Sequence, residues 1–451
     1  MLLFIILSVF MEIRAESAAS NTTSDGYKLE FVQALWRHGD RAALTELYPI
    51  YEQNWTFGGG GLGELTTLGM SQMYHLGSIF REKYVTDQLF LGSRYAANEI
   101  YVRSTDTNRT IISAMSLLYG LYPPGAWNIQ GVDYPNSDDW QQGFTFIPVH
   151  IESLDQCMMY ETCSCARWNE LKLKWAELPE VQAANAKIME MNIRIAGYYN
   201  ITDQPQLFGF YPDTWKCQRN WFNDSLYRDL PWYNEQLYEE AQTTVALYCR
   251  LSEGNFVNSS VIDGIDISHE ISVIQSGQLL SELYTRAREK VECLESSENC
   301  TSPLKTLKWY GYSSHDVIIY ALLVALGVPN LVKTLNGWPD MASSLVLELY
   351  SIPTSGRRQF FMKFLYRDNA NVDFDDVTSQ IRGCHGAQMC SLESFQEIAE
   401  NFRPLPDFQT LCQTPLLASS SFTMHSNFWI ILMFILTLAM ERVYFLFSIL
   451  T

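Results

Sequence analysis

The chain has 451 residues, with 31 Lys and Arg set against 50 Asp and Glu, a formal net charge of −19. Nucleic acid is thereby disfavoured as a partner, because its backbone is gripped by broad Lys/Arg surfaces. A small phosphate ester needs only a local cationic pocket, so the acidic total leaves phosphate chemistry open. The length allows one large domain with an insertion, or two ordinary domains.

The opening stretch, MLLFIILSVF, is an apolar run too short to span a bilayer. Small residues Ala15, Ser17, Ala18 and Ala19 follow, so residues 1–19 read as a secretory signal peptide. Ten cysteines, together with sequons at Asn21, Asn54, Asn108, Asn200, Asn223, Asn258 and Asn299, agree with an oxidising, glycosylating compartment. Cys384 with Cys390 and Cys293 with Cys300 are close enough in sequence to close short loops.

Tyr27 to Trp36, YKLEFVQALW, is short, apolar-rich and closed by the charged turn RHGDR, the pattern of a buried strand. Beyond GGGGLGELTTLG, the apolar positions Met73, Leu76, Phe80 and Tyr84 recur at helical spacing, with Thr66 as a candidate N-cap. A second strand around EIYVR ends at Arg103, and strand, helix, strand is the grammar of an α/β sheet. From 151 to 300 the texture turns helical and rich in Trp and Tyr. There Leu280, Leu283, Ala287 and Val291 mark one face of a long pattern running on from ISVIQSG. Strand grammar returns at Leu307 to Ser314, LKWYGYSS, followed by a helix through VIIYALLVALG and an antiparallel pair, SSLVLELYS and RQFFMKFLYR.

The expected architecture is a central mixed β-sheet flanked by helices, with a smaller helical cap inserted in sequence. The catalytic α/β domain takes residues 27–150 and 301–412, and the cap takes 151–300. A linker over 413–426 leads to a membrane anchor over 427–447, since the tail from Phe428 is apolar and long enough to cross a bilayer. Glu441 and Arg442 can pair at the headgroups, giving a single-pass protein with its bulk lumenal or extracellular. The alternative is a cleaved lipid-anchor signal with Ser419 to Ser421 at its small-residue site. A homodimer is compatible with the sequence.

Arg37-His38-Gly39-Asp40-Arg41 lies just past the carboxyl end of the first predicted strand, where open α/β sheets place their ligands. Two guanidiniums flanking an imidazole make a compact cradle, and the planar Arg fork matches phosphate with paired charge-assisted bonds. Arg-His-Gly with Arg two residues on arises by chance in a chain of this length on the order of 0.1 to 1 per cent of the time. A lone His-Asp pair is far commoner. His315-Asp316 gains weight because it sits where LKWYGYSS hands over to a helix, in reach of the same edge. Arg103 also ends a strand and is expected to bring a third guanidinium, against the blander reading of a surface salt bridge. GGGGLG fits a dinucleotide loop by composition alone, and no H-E-x-x-H or zinc-like cysteine spacing occurs, so neither cofactor nor metal is expected.

RHGDR, GELTTLG, YVRSTDTNRT and YSSHD stand in an order that resembles the histidine acid phosphatases, from about Tyr27 to Cys412. The resemblance implies His38 as nucleophile, Asp316 as proton donor, and Arg37, Arg41, Arg103 and His315 as the phosphate-binding shell. It also implies that Cys384, Cys390 and Cys412 are the family's last cysteines and that Cys165 partners Cys412, while the pairing of Cys217 stays open. Two positions depart from the pattern: Ala43 replaces a common proline, and Val317 and Ile318 follow the His-Asp pair in place of Thr or Asn. The expected activity is hydrolysis of small phosphate monoesters through a phosphohistidine. A phytase-like inositol phosphate phosphatase and a catalytically silent, membrane-tethered binding protein are the rivals.

Overall fold

The computed structural model describes residues 25–416, apart from 126, 153–157, 160–164, 204, 206–210, 297–299, 335 and 355–356. The expected signal peptide, the anchor over 427–447, Asn21 and Asn299 lie outside the described residues. In chain order the elements begin with β1 (Lys28–Arg37), α1 (Thr67–Phe80), β2 (Ile100–Ser104), α2 (Asn108–Leu121) and β3 (His150–Ile151). Next come α3 (Ala166–Glu177), α4 (Pro179–Tyr198), α5 (Tyr211–Asp229), α6 (Glu235–Ser252), the hairpin β4 (Val261–Ile262) and β5 (Ile265–Asp266), α7 (Ile267–Gln275) and α8 (Gly277–Glu295). The chain then returns through β6 (Trp309–Ser314), α9 (Asp316–Ala325), β7 (Ser344–Thr354), β8 (Arg357–Arg367), β9 (Asp375–Asp376), β10 (Cys390–Ser391), α10 (Leu392–Asn401) and α11 (Phe408–Gln413).

The sheet order is β10-β8-β7-β1-β6-β2-β3, with β9 added on β8. β1, β6, β2 and β3 run parallel, and β7 and β8 are antiparallel to their neighbours. β1 is buried at every position after Lys28, as a central strand covered on both faces must be. One face packs Val32, Ala34, Trp36 and Val102 against Met73, Leu76 and Phe80 of α1 and Leu117 and Leu121 of α2. The other packs Phe31, Leu35 and Tyr312 against Leu283 and Ala287 of α8, Ile319 and Leu323 of α9 and Phe395 of α10. Each such side chain contributes roughly 1.5–3 kcal/mol relative to exposure.

Thr66 caps α1 as its sequence position suggested, accepting from Gly69 N. The long helical pattern from Ile271 onward divides in two at Ser276, whose hydroxyl turns back to the Ser272 carbonyl at 2.8 Å. Gly277 marks the break, since a Cβ there would meet the Phe402 carbonyl at 2.0 Å. Beyond it, α8 lies on the sheet, where Gln33 Nε2 donates to the Leu283 carbonyl at 2.8 Å. Helices α3 to α7 form separate apolar clusters. One joins Trp175 and Val181 to Ile267, Ile271 and Phe408, and another gathers Ile195, Trp215, Leu226 and Leu237.

Among the described residues three disulfides form: Cys293–Cys300 and Cys384–Cys390, the two local pairs that spacing suggested, and Cys165–Cys412, the pair that the resemblance implied. The last ties the start of α3 to α11 across 247 residues of sequence. Cys217 is a buried thiol. Asn54, Asn108, Asn200, Asn223 and Asn258 are all exposed. Among the described residues no helix is long and apolar enough to cross a membrane.

Candidate active site

Because β1, β2 and β6 are parallel, their carboxyl ends reach one edge of the sheet in register, Arg37 opposite Ser314 and Arg103 opposite Tyr312. The chain leaving β1 stays bound there. His38 N donates to the Ser314 carbonyl at 3.1 Å, and the His38 carbonyl accepts from Ala342 N at 3.1 Å. Gly39 is required by contact: a Cβ would lie 2.4 Å from the Gly69 carbonyl, and one on Gly69 would lie 2.1 Å from that of Asp40. The glycine of RHGDR and the glycine closing GELTTLG therefore allow the strand end to press on the first turn of α1.

His38 is buried, and its Nδ1 lies 2.8 Å from the Gly39 carbonyl. A carbonyl only accepts, so Nδ1 holds the proton and Nε2 keeps its lone pair. Burial first, then the guanidiniums of Arg109, Arg37 and Arg41, and then His315, hold the His38 pKa well below its ordinary value. These effects favour the neutral imidazole. The His315 ring stands edge-on to it with centroids 5.7 Å apart, and His315 Nε2 lies 3.1 Å from Thr105 Oγ1. Burial and Arg109 depress His315 as well.

Arg37 and Arg41 each have a carboxylate partner. Arg37 Nη2 pairs with Asp316 Oδ2 at 2.9 Å, and its Nη1 donates to the Pro339 carbonyl at 2.7 Å. Arg41 meets Asp213 of α5 end-on, at 3.1 Å from Nη1 and 2.9 Å from Nη2. The buried Nε atoms of Arg37 and Arg41 have no hydrogen-bond partner. An unpaired, buried guanidinium N–H is costly, and an oxyanion would relieve it. Asp316 is the first residue of α9, with Oδ1 accepting from Val317 N at 3.0 Å and Oδ2 also accepting from Trp338 Nε1 at 3.0 Å. Burial pushes its pKa up, but Arg37, the Trp338 indole, His315 and Arg41 outweigh it and hold the carboxyl below its usual range.

Arg103 also has a carboxylate partner, from a different helix. Its side chain leaves β2 on the face of Tyr310 and Tyr312, where Nη2 pairs with Glu282 of α8. Glu282 also accepts from Arg286 at 2.8 Å and from the Tyr312 hydroxyl at 3.0 Å. The further cation beside His38 is Arg109, foremost among the charges acting on both His38 and His315. It is the second residue of α2, at the positive end of that helix.

Asp40 is wholly buried and joins three segments, accepting from Thr66 Oγ1 at 2.5 Å, Asn220 Nδ2 at 2.5 Å and Trp221 Nε1 at 2.9 Å. Asp213, Asn220 and Trp221 thus approach from one helix, α5. Lys216 of the same helix pairs with Asp340. A neutral imidazole nitrogen ringed by cations, with a carboxyl held beside one of them, can attack an electrophilic phosphorus and hand a proton to a leaving group.

Residues 28–367 match the family model described as histidine phosphatase superfamily (branch 2). The chain belongs to that family. It is 58% identical over 431 residues to "Putative acid phosphatase F26C11.1" of Caenorhabditis elegans, covering 95% of this chain and 98% of that one. It is also 30% identical to prostatic acid phosphatase of Rattus norvegicus, over 85% of this chain and 89% of the other. Among solved structures, the apo phytase of Hafnia alvei aligns with a TM-score of 0.54 at 15% identity, covering 87% of this chain and all of that one. The Citrobacter braakii phytase aligns at 0.52 and 14%, over 86% of this chain and all of its own. At that identity the likeness establishes the histidine phosphatase fold alone.

Proposed function

We propose that this histidine phosphatase is an acid phosphatase that hydrolyses small phosphate monoesters through a phosphohistidine on His38. The observation that carries the reading is the neutral, buried His38, with Nδ1 bound to the Gly39 carbonyl and Nε2 left for attack among Arg37, Arg41 and Arg109. Nε2 forms a bond to phosphorus while the ester P–O bond breaks in line, and the departing alkoxide takes a proton from Asp316. Water then attacks the phosphohistidine, returns a proton to Asp316 and releases inorganic phosphate. Arg37, Arg41, Arg109 and His315 meet the charge growing on the equatorial oxygens.

Asp316 is ionised in the ligand-free site and must be protonated before the leaving group departs. A phosphate dianion supplies the change: it draws Arg37 away from the carboxylate and adds negative charge beside it, and both effects raise the Asp316 pKa. Acidic solution completes the protonation, so turnover is expected to favour low pH. A strongly basic rim, as a highly phosphorylated inositol would require, is not supported, because Arg41 and Lys216 face the pocket already paired with Asp213 and Asp340.

Residues 27–150 and 301–412 carry the catalytic side chains in this reading; of the 151–300 insertion, α3 to α7 supply the cap, α5 reaching Arg41 and Asp40, while α8 packs on the sheet. The leader, the exposed sequons and the disulfides support folding in an oxidising, glycosylating compartment, and the 427–447 tail supports attachment there with the site lumenal or extracellular. The deciding test is brief reaction with radiolabelled substrate followed by quenching. Label that is acid-sensitive and alkali-stable, and absent from folded His38→Ala, is expected; label recovered on serine or aspartate rejects the mechanism.

A further inference from the structure

Three consecutive residues of the loop before β7 each hold a different part of the site. Trp338 Nε1 donates to Asp316 Oδ2 at 3.0 Å, the Pro339 carbonyl accepts from Arg37 Nη1 at 2.7 Å, and Asp340 pairs with Lys216 of α5. The Trp338 ring is itself fixed, packed against Tyr320 of α9 with centroids 4.9 Å apart. We propose that Trp338 is a positioning residue that orients the Asp316 carboxyl and sets the alkaline limit of turnover.

The argument rests on the general-acid reading of Asp316 and follows from which of its partners survive substrate binding. From β1, Arg37 faces the carboxyl. Arg41 acts on it from the loop after β1, His315 precedes it, and the Val317 N–H comes from its own helix. Asp340 acts on the same Arg37 and is neutralised by Lys216. A phosphate group competes for Arg37 and Arg41, since those guanidiniums are its own ligands. It has no means of displacing an indole N–H that points at Oδ2 from the far side of the loop. Trp338 therefore remains on the carboxyl in the substrate complex and favours its charged form, because a hydrogen bond to an ionised acceptor stabilises that form. The same bond, with Val317 N on Oδ1, fixes the carboxyl plane. Orientation is thus obtained at the cost of a narrower pH range in which the donor holds its proton.

Trp338→Phe keeps an aromatic ring against Tyr320 and removes the N–H. With an alkyl phosphate as substrate, the alkaline limb of kcat against pH should move upward by about one unit. Inhibition by inorganic phosphate should stay within about twofold of the parent, because no phosphate ligand has been touched. Trp338→His restores a donor and should bring the limb back to or below its original pH. An unmoved limb in folded Trp338→Phe overturns the proposal, and so does a His variant displaced as far as the Phe variant. Asp316→Asn, measured in parallel, separates the two layers. If it hydrolyses the alkyl phosphate unimpaired, the general-acid reading falls and takes this one with it. If it slows that ester while the Trp338→Phe limb stays put, only the role of Trp338 is lost.

Discussion

Two arginines six positions apart compete for one role, and removing each in turn distinguishes them. Arg109 acts on His38 and His315 from the start of α2, whereas Arg103 is paired with Glu282 of α8. A charge-assisted hydrogen bond is worth roughly 1.5–3 kcal/mol. At about 1.4 kcal/mol per decade, Arg109→Ala should weaken inhibition by phosphate and vanadate about ten- to a hundredfold. It should lower kcat/KM for aryl and alkyl phosphates by similar factors, because every substrate presents the same phosphoryl oxygens. Arg103→Ala should leave those inhibition constants within about twofold and act on stability instead. Glu282 would keep Arg286 and the Tyr312 hydroxyl, so its loss of one partner should cost roughly 1–3 kcal/mol, seen as a lower Tm. Inhibition constants measured at fixed pH, with melting curves on the same preparations, decide the matter. If Arg103→Ala costs as much phosphate affinity as Arg109→Ala, the assignment of the pocket is wrong.

Acid stability should depend on phosphate: His38 and His315 have depressed pKa values in the fold, so only the unfolded chain takes up their protons as pH falls below about 6.5. Tm of the ligand-free protein should therefore drop between pH 7 and 5 and recover with saturating phosphate; a drop that phosphate leaves untouched contradicts the anion site. Asp213→Asn removes the charged partner that holds Arg41 end-on, and should raise KM about tenfold or more with a smaller change in kcat, by roughly the 1.5–3 kcal/mol of a charged hydrogen bond. Unchanged KM and phosphate inhibition would show that Arg41 needs no support from α5.

The sheet was legible because its strands are bounded in the sequence itself. YKLEFVQALW stops at a charged turn, and the run ending at Ser314 stops at a helix start, so their meeting at one edge follows from parallel pairing. The helix after GELTTLG announced its cap and its buried stripe, and Met73, Leu76, Phe80 and Tyr84 are all in the core. Arg103 was expected at the pocket from its place at a strand end, and its carboxylate partner, Glu282 of α8, had no local mark in the sequence. Ile100 and Val102 pack toward α1 and α2, so strand alternation turns Arg103 to the face of Tyr101 and Tyr312, where Glu282 of α8 meets it. Arg109 offered less, being a polar residue in a helix start, distinguished only by the helix end on which it sits. The contributions of Asp213, Asn220 and Trp221 had no local mark at all. They lie more than 170 residues from the arginine and aspartate they bind, and their spacing along α5 gains meaning only when the helix is seen to face RHGDR.

The acidic composition also finds its reason at this edge. Arg37, Arg41 and Arg109 crowd a buried imidazole, and an uncompensated cluster of that kind would oppose folding in the absence of ligand. Asp316 and Asp213 offset two of the charges directly, and the orphaned Nε atoms mark edges of the same guanidiniums that these carboxylates leave unused. The fold can therefore hold a cation cradle ready, and an entering phosphate monoester competes with these carboxylates for Arg37 and Arg41. The same carboxylates limit what may enter. Asp213 and Asp340 retain partial exposure beside the pocket, 30% and 26% of their side chains, so a second phosphate group carried on the leaving alcohol would meet them before it met an unpaired cation. In the proposed function, one balance of charge thus both stabilises the empty site and disfavours substrates with a second phosphoryl group.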